Sequence, residues 1–205
     1  MIEIDNILDV EKHLDGIDVV IFDLDDTLYL EKDYVRSGFD TIARAYPNIK
    51  DLSQKLWDAF LEKKPALDYV LEQEGLPKEK NNCLAIYRNH KPAISLYPGV
   101  YEMLQRIGKT KKLGIITDGR IEGQKAKIEA LGLEELFGRI IITDELGGTE
   151  FRKPNTKAFV LMKGYFNTEY EKMCYIGDNI KKDSIAPEQL GMKFIHFQNK
   201  DGLYR

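Results

Sequence analysis

Cysteine is scarce in this 205-residue chain: there are two, Cys83 and Cys174, far apart and outside any CxxC pair. That usage excludes a dense disulfide scaffold and reads as reduced thiols in a cytoplasmic protein. A basic surplus is also missing. Lysine and arginine number 30 against 34 aspartates and glutamates, a net charge of -4, which points away from nucleic acid as a partner. No uncharged apolar run approaches the ~20 residues of a membrane span. The opening "MIEIDNILDVEKHLDG" has no basic region followed by an apolar core, so it does not read as a signal peptide. The three histidines, His13, His90 and His196, show no ligand-like spacing, and His196 reads as a satisfied core residue in an apolar strand. There is no internal repeat and no low-complexity tract, and oligomeric state is not legible.

What is present is an ordinary globular composition, 43% hydrophobic and 31% charged, in a length that suits one domain with an appendage. The second half alternates apolar runs with helical patterns. "KLGIIT" (112–117), "GRIIIT" (138–143), "MCYIGD" and "KFIHF" read as strands. "YPGVYEMLQRIGK" (97–109), "RIEGQKAKIEALGLEELF", "PNTKAFVLMKGYF" and "IKKDSIAPEQLGM" read as helices. Ile121, Ile128 and Leu131 would form the core stripe of the second helix, and Pro154 or Asn155 would start the third. Strands without polar alternation belong to parallel sheets covered on both faces. The pattern therefore predicts an α/β, doubly wound parallel sheet that includes "VVIFD" near the N-terminus.

One interval breaks that rhythm. Residues 24–111 separate the first two of these strands, where a βαβ unit takes about 30. The surplus carries four helical patterns punctuated by Pro65, Gly75, Pro77 and Pro92. It predicts an inserted helical subdomain over 31–96, with 1–30 and 97–205 forming the α/β core. Tyr34, Phe39, Tyr46 and Trp57 read as its core aromatics. Arg36, Arg44 and Arg88 read as residues of solvated helix faces. Ligands bind beyond the carboxyl ends of the strands in such sheets, so an insertion after the first of these strands is expected to lie over the site.

Those carboxyl ends carry the chemistry. "VVIFDLDDTLY" runs four apolar residues into Asp23, Asp25 and Asp26. Asp23 and Asp25 point to the same side of an extended chain, and like carboxylates held together need a proton or a cation. With Asp178 they make a set of hard oxygen donors suited to Mg²⁺. Thr117, the Asp118–Gly119 turn and Lys153 can hold an anion. Carboxylates, a metal and an anion seat together describe phosphoryl transfer, in which an aspartate can be the nucleophile. Asp26 and Asp144 read as turn or helix-cap residues.

In this arrangement the chain resembles the haloacid dehalogenase (HAD) superfamily, in its phosphatase branch with a helical C1 cap. The resemblance rests on DxDxT at Asp23–Thr27, Thr117 closing a strand, Lys153 in a later loop, and GDxxxxD from Gly177 to Asp183. It implies a Rossmann-like core and an aspartyl-phosphate mechanism with Asp23 as nucleophile. Asp25 matches the general acid and base and gives its backbone carbonyl to the metal. Thr27 matches the residue that orients Asp25. Thr117, Asp118, Gly119 and Lys153 match the phosphate-holding set. Asp23 and Asp178 match carboxylate ligands of Mg²⁺, and Asp183 an outer or alternative metal group. Asp118 departs from the family's frequent Asn, and its side chain is expected to turn away or reach the cap. The implied activity is a Mg²⁺-dependent phosphatase acting on a small phosphorylated metabolite: a nucleotide, flavin mononucleotide or sugar phosphate. Asp25 argues against a dehalogenase, which has no Asp there, and against a phosphonate hydrolase, which has Ala. Thr27 leans away from a phosphomutase, and intact motifs argue against a non-catalytic binding module.

Overall fold

The computed structural model describes residues 1–203 of the chain. Tyr204 and Arg205, assigned to the core from sequence, lie outside the described residues. The chain divides into two compact units, Met1–Glu31 with Ser95–Arg205, and Lys32–Ile94. Among the described residues no helix is long and apolar enough to cross a membrane.

The first unit is built on one sheet. Its strands, among the described residues, are β1 (Ile2–Ile4), β2 (Val19–Phe22), β3 (Lys112–Thr117), β4 (Arg139–Ile142), β5 (Met173–Gly177) and β6 (Lys193–Phe197). Their order is β1-β6-β5-β2-β3-β4 and every neighbouring pair is parallel. This is the doubly wound α/β sheet. Phe22 at the end of β2 pairs with Ile115 of β3 and with Ile176 of β5, and every residue of β2 and β5 is buried. That burial is why these strands read as unbroken apolar runs.

The helices are α1 (Glu31–Ala45), α2 (Leu52–Leu61), α3 (Ala66–Gln73), α4 (Lys80–Asn89), α5 (Val100–Gly108), α6 (Ile121–Ala130), α7 (Lys157–Phe166), and two short ones, α8 (Ile180–Asp183) and α9 (Ile185–Leu190). Ile21, Ile116, Phe159, Met162, Tyr175 and Phe194 meet in one core cluster of the sheet unit. In the second unit Phe39, Ile42, Leu52, Leu56, Val70 and Leu71 form a separate core, with Tyr46 and Trp57 packed against it. The guanidinium of Arg36 lies 5.3 Å from the Trp57 ring centroid. Cys83 and Cys174 are buried free thiols.

Several local expectations change. β1 was not foreseen: three residues are too few to display a period, and the strand forms by pairing Ile2 and Ile4 with Ile195 and Phe197. The helix expected over "IKKDSIAPEQLGM" is two helices that break at Ser184, because Pro187 has no N–H to give the Asp183 carbonyl. The helix expected from Tyr97 starts at Val100, after Gly99 at φ +82°. Helix α7 begins at Lys157, whose N–H is held by the Asn155 side chain at 2.8 Å. His196 is mostly buried, its side chain 13% exposed, but only one ring nitrogen is satisfied: Nδ1 has no hydrogen-bond partner among the described residues. Its Nε2–H donates to the Asp178 carbonyl at 2.9 Å.

The sheet core reaches the carboxyl-end rim through Tyr175, whose ring meets fully buried Phe159 edge-on at 5.0 Å. Replacing Phe159 by Ala is expected to cost about 3–5 kcal/mol of unfolding free energy, read from urea denaturation. A loss below about 1 kcal/mol would show that this layer collapses without penalty.

Candidate active site

Strand order turns around β2, which lies between β3 and β5. At such a switch point neighbouring connections leave in opposite directions and open a crevice at the carboxyl ends. Asp23 is the first residue past β2, and its N–H still donates in sheet register to the Ile176 carbonyl at 2.8 Å. Thr117 closes β3, Asp178 follows β5, and Lys153 arrives from the loop beyond β4.

Lys153 is the centre of this rim. Its side chain is fully buried, with Nζ 2.7 Å from Asp23 Oδ1 and 2.9 Å from Asp183 Oδ1. It also donates to the Tyr175 hydroxyl at 2.8 Å, which in turn donates to the Ile116 carbonyl at 3.2 Å. Burial alone would lower the lysine pKa. Asp183 and Asp23 outweigh it and hold the ammonium protonated well above its ordinary range.

Asp23, Asp178 and Asp183 each offer one carboxylate oxygen within 4.8 Å of the other two. Desolvation, only partly offset by Lys153, pushes the Asp23 carboxyl up to about 6. Desolvation with the charges of Asp23 and Asp183 pushes Asp178 up to about 8. Asp178 Oδ2 is buried and has no hydrogen-bond partner among the described residues. An all-oxygen donor set with an unsatisfied buried oxygen fits a hard divalent cation. Gly177 makes this packing possible: a Cβ there would lie 2.4 Å from Asp183 Oδ2.

Asp25 points elsewhere, so its carboxylate is not among those three. Lys127 Nζ lies 2.7 Å from its Oδ1, the Tyr29 hydroxyl also donates to Oδ1, and Gln124 Nε2 lies 2.8 Å from its Oδ2. Burial raises the Asp25 pKa, but Lys127, with the hydrogen bonds from Tyr29 and Gln124, outweighs it and leaves the carboxyl below its usual range. The hydroxyl of Thr27, expected to orient Asp25, is buried without a hydrogen-bond partner among the described residues. Asp26 adopts φ 54°, caps the Glu31 N–H at 2.9 Å and accepts from the Leu203 N–H at 2.7 Å. Asp144 forms a two-bond pair with Arg152.

Thr117 is fully buried, with Oγ1 2.5 Å from Gln124 Nε2. Gly119 takes φ +142°, and Gln124 threads past it, 3.1 Å from where a Cβ would stand. The Asp118 carboxylate turns to the loops of the sheet unit. Its Oδ1 accepts from Thr143 Oγ1 at 2.9 Å and from the Lys153 N–H at 3.1 Å, while Lys182 Nζ lies 3.8 Å from Oδ2. This carboxylate thus fixes the backbone of Lys153.

Sequence reading missed Tyr29, Glu31, Gln124, Lys127 and the role of His196. Gln124 lies in the middle of the stripe that α6 buries with Ile128 and Leu131, and Lys127 beside it; polar residues on a buried stripe were the available signal. Glu31 begins α1, and its buried Oε2 has no hydrogen-bond partner among the described residues. Burial, then the charge of Asp25, pushes its carboxyl up to about 8.

Residues 20–197 match the family model described as haloacid dehalogenase-like hydrolase. A glyceraldehyde 3-phosphate phosphatase of Pyrococcus abyssi is 30% identical over 200 residues, covering 89% of this chain and 82% of that protein. The Pyrococcus furiosus protein of the same name is 30% identical over 203 residues, covering 89% and 81%. A pyrimidine 5'-nucleotidase of Escherichia coli is 29% identical over 96 residues, covering 46% and 41%. Among solved structures, a HAD-superfamily hydrolase of Geobacter sulfurreducens superposes with TM-score 0.69 at 16% identity, covering 88% and 87%.

The raised carboxyls have a consequence for stability. Asp178 and Glu31 keep protons in the native state up to about pH 8, whereas ordinary carboxyls release them near 3.8 and 4.5. Between those values the native state binds more protons than the unfolded chain, so stability falls as pH rises. In EDTA, Asp178→Asn is expected to flatten the decline in melting temperature between pH 5 and pH 8, a window set by the Asp178 shift to about 8. Equal slopes in both proteins would contradict it.

Proposed function

Because this chain belongs to the haloacid dehalogenase-like hydrolase family, with residues 20–197 matching, we propose that its acidic rim is a Mg²⁺-dependent phosphatase site working through Asp23. The protein is a phosphoric monoester hydrolase acting on a small phosphorylated metabolite. The relatives named glyceraldehyde 3-phosphate phosphatase favour a triose phosphate as the substrate class. The observation that carries the mechanism is the separation of two carboxylates two residues apart. Asp23 faces Lys153 and the Asp178–Asp183 pair, while Asp25 is turned to Lys127 and Gln124.

In this reading the phosphate sits against Lys153, Thr117 and the backbone N–H groups of Asp118 and Gly119. An Asp23 oxygen attacks phosphorus, the bond to the ester oxygen breaks, and Asp25 gives that oxygen its proton. Bringing a phosphate dianion beside Asp25 adds negative charge and favours its protonated form. Asp25, now a carboxylate, takes a proton from water. The hydroxide attacks phosphorus, releasing phosphate and regenerating Asp23. Asp23, Asp178, Asp183 and the Asp25 carbonyl would hold Mg²⁺, which supplies charge neutralisation for the phosphoryl oxygens. The inserted unit, Lys32–Ile94, enters the chain just after the Asp23–Thr27 motif, and we assign selection of the leaving group to it.

Asp23→Asn is expected to lower turnover of glyceraldehyde 3-phosphate by at least about 10³-fold, since the covalent route is lost. Activity within tenfold of wild type would reject Asp23 as nucleophile. EDTA should abolish turnover and Mg²⁺ restore it, with Asp178→Ala needing more Mg²⁺ than wild type. Full activity after rigorous metal removal would reject the metal assignment. Replacing residues 32–94 by a short linker is expected to spare p-nitrophenyl phosphate hydrolysis and erase preference among phosphometabolites; an unchanged order of preference would clear the helical unit of that role.

A further inference from the structure

The grip on Asp25 comes from an element that none of the sequence motifs includes. Helix α6 buries a glutamine and a lysine one turn apart, Gln124 at 2% and Lys127 at 5% exposure. Burying such groups is costly unless partners meet them, and here both reach the same carboxylate. Lys127 Nζ lies 2.7 Å from Asp25 Oδ1 and Gln124 Nε2 2.8 Å from Asp25 Oδ2. The same Gln124 nitrogen lies 2.5 Å from Thr117 Oγ1 and 2.9 Å from the Asp118 carbonyl. One side chain therefore spans the acid/base carboxylate and the rim assigned to phosphate.

Asp25 has an alternative that this contact denies it. Two residues earlier, Asp23 reaches Lys153, and a free Asp25 carboxylate would be drawn towards that cation or a bound metal. The Thr27 hydroxyl makes no hydrogen bond with it. We propose that Lys127 and Gln124 are positioning residues that fix the Asp25 carboxylate for proton transfer, with Gln124 tying that placement to the Thr117 phosphate seat. The proposal rests on the reading of Asp25 as general acid and base. Both act through Asp25, whose two carboxylate oxygens they hold, and Gln124 also through Thr117.

The test compares Lys127→Met, Lys127→Arg, Gln124→Ala and Asp25→Asn in the full-length protein with Mg²⁺, each checked for wild-type circular dichroism. The substrates are glyceraldehyde 3-phosphate, whose alkoxide needs a proton to leave, and p-nitrophenyl phosphate, whose phenolate does not. The value of kcat/KM covers steps up to departure of the leaving group. Lys127→Met is expected to lower it about 10²-fold for the alkyl ester, the size of a general-acid contribution, and less than about fivefold for the aryl ester. Lys127→Arg should recover most of the loss. Gln124→Ala, which strands no charge, keeps the test open if Lys127→Met fails to fold. It should show the same split at about tenfold and a weaker inhibition constant for inorganic phosphate. Equal losses on both esters in folded Lys127→Met or Gln124→Ala, while Asp25→Asn shows the split, would overturn the positioning role alone. Equal losses in Asp25→Asn would overturn the acid/base reading beneath it.

Discussion

Everything at the rim depends on one buried ion contact, Lys153 between Asp23 and Asp183. Three carboxylates within 4.8 Å cannot all be charged in a dry site without a cation. The ammonium supplies one positive charge, and its remaining N–H goes to Tyr175. One positive charge against three carboxyls leaves the cluster short, and burial, together with the charges of Asp23 and Asp183, pushes Asp178 up to about 8. The same deficit suits the cluster to a divalent cation. The contact that offsets part of this charge leaves the deficit that the proposed cofactor would fill.

The fold brings these charges together because β2 lies where the winding reverses. Strands β3 and β5 flank it, so the loops that follow them open towards one crevice. β2 and β5 are buried along their whole length at that end. Small residues then set how closely the loops approach. Gly177 leaves room for Asp183, and Gly119 leaves room for Gln124. In neither place would a methyl group fit without movement of Asp183 itself or of the Gln124 that holds Asp25.

The rim thereby divides four aspartates into two electrostatic neighbourhoods. Around Lys153 and the Asp23–Asp178–Asp183 cluster, desolvation and like charge raise Asp23 and Asp178. Around Lys127, Asp25 is held below its usual range despite burial. Carboxyl groups pushed apart in this way can take different parts in one reaction. Their separation follows from which helix or loop supplies the cation: the loop after β4 brings Lys153 and α6 brings Lys127.

Much of this was legible in the order of residues. Unbroken apolar runs followed by Asp23, Thr117 and Gly177–Asp178 specify buried parallel strands with polar residues at one end, because side-chain burial on both faces is a local property of the run. The surplus between β2 and β3 marks the inserted helices for the same local reason. What only tertiary structure decided is where side chains turn after the backbone has placed them. Asp118 could not be assigned to Thr143 and the Lys153 N–H from sequence, nor Thr27 be seen to miss Asp25, since those contacts span up to 35 positions or depend on rotamers. Gln124 and Lys127 interrupt the apolar stripe of α6, but nothing in that local pattern says which group they hold. Their distance to Asp25, across 99 and 102 positions, exists only because the sheet closes the gap between them.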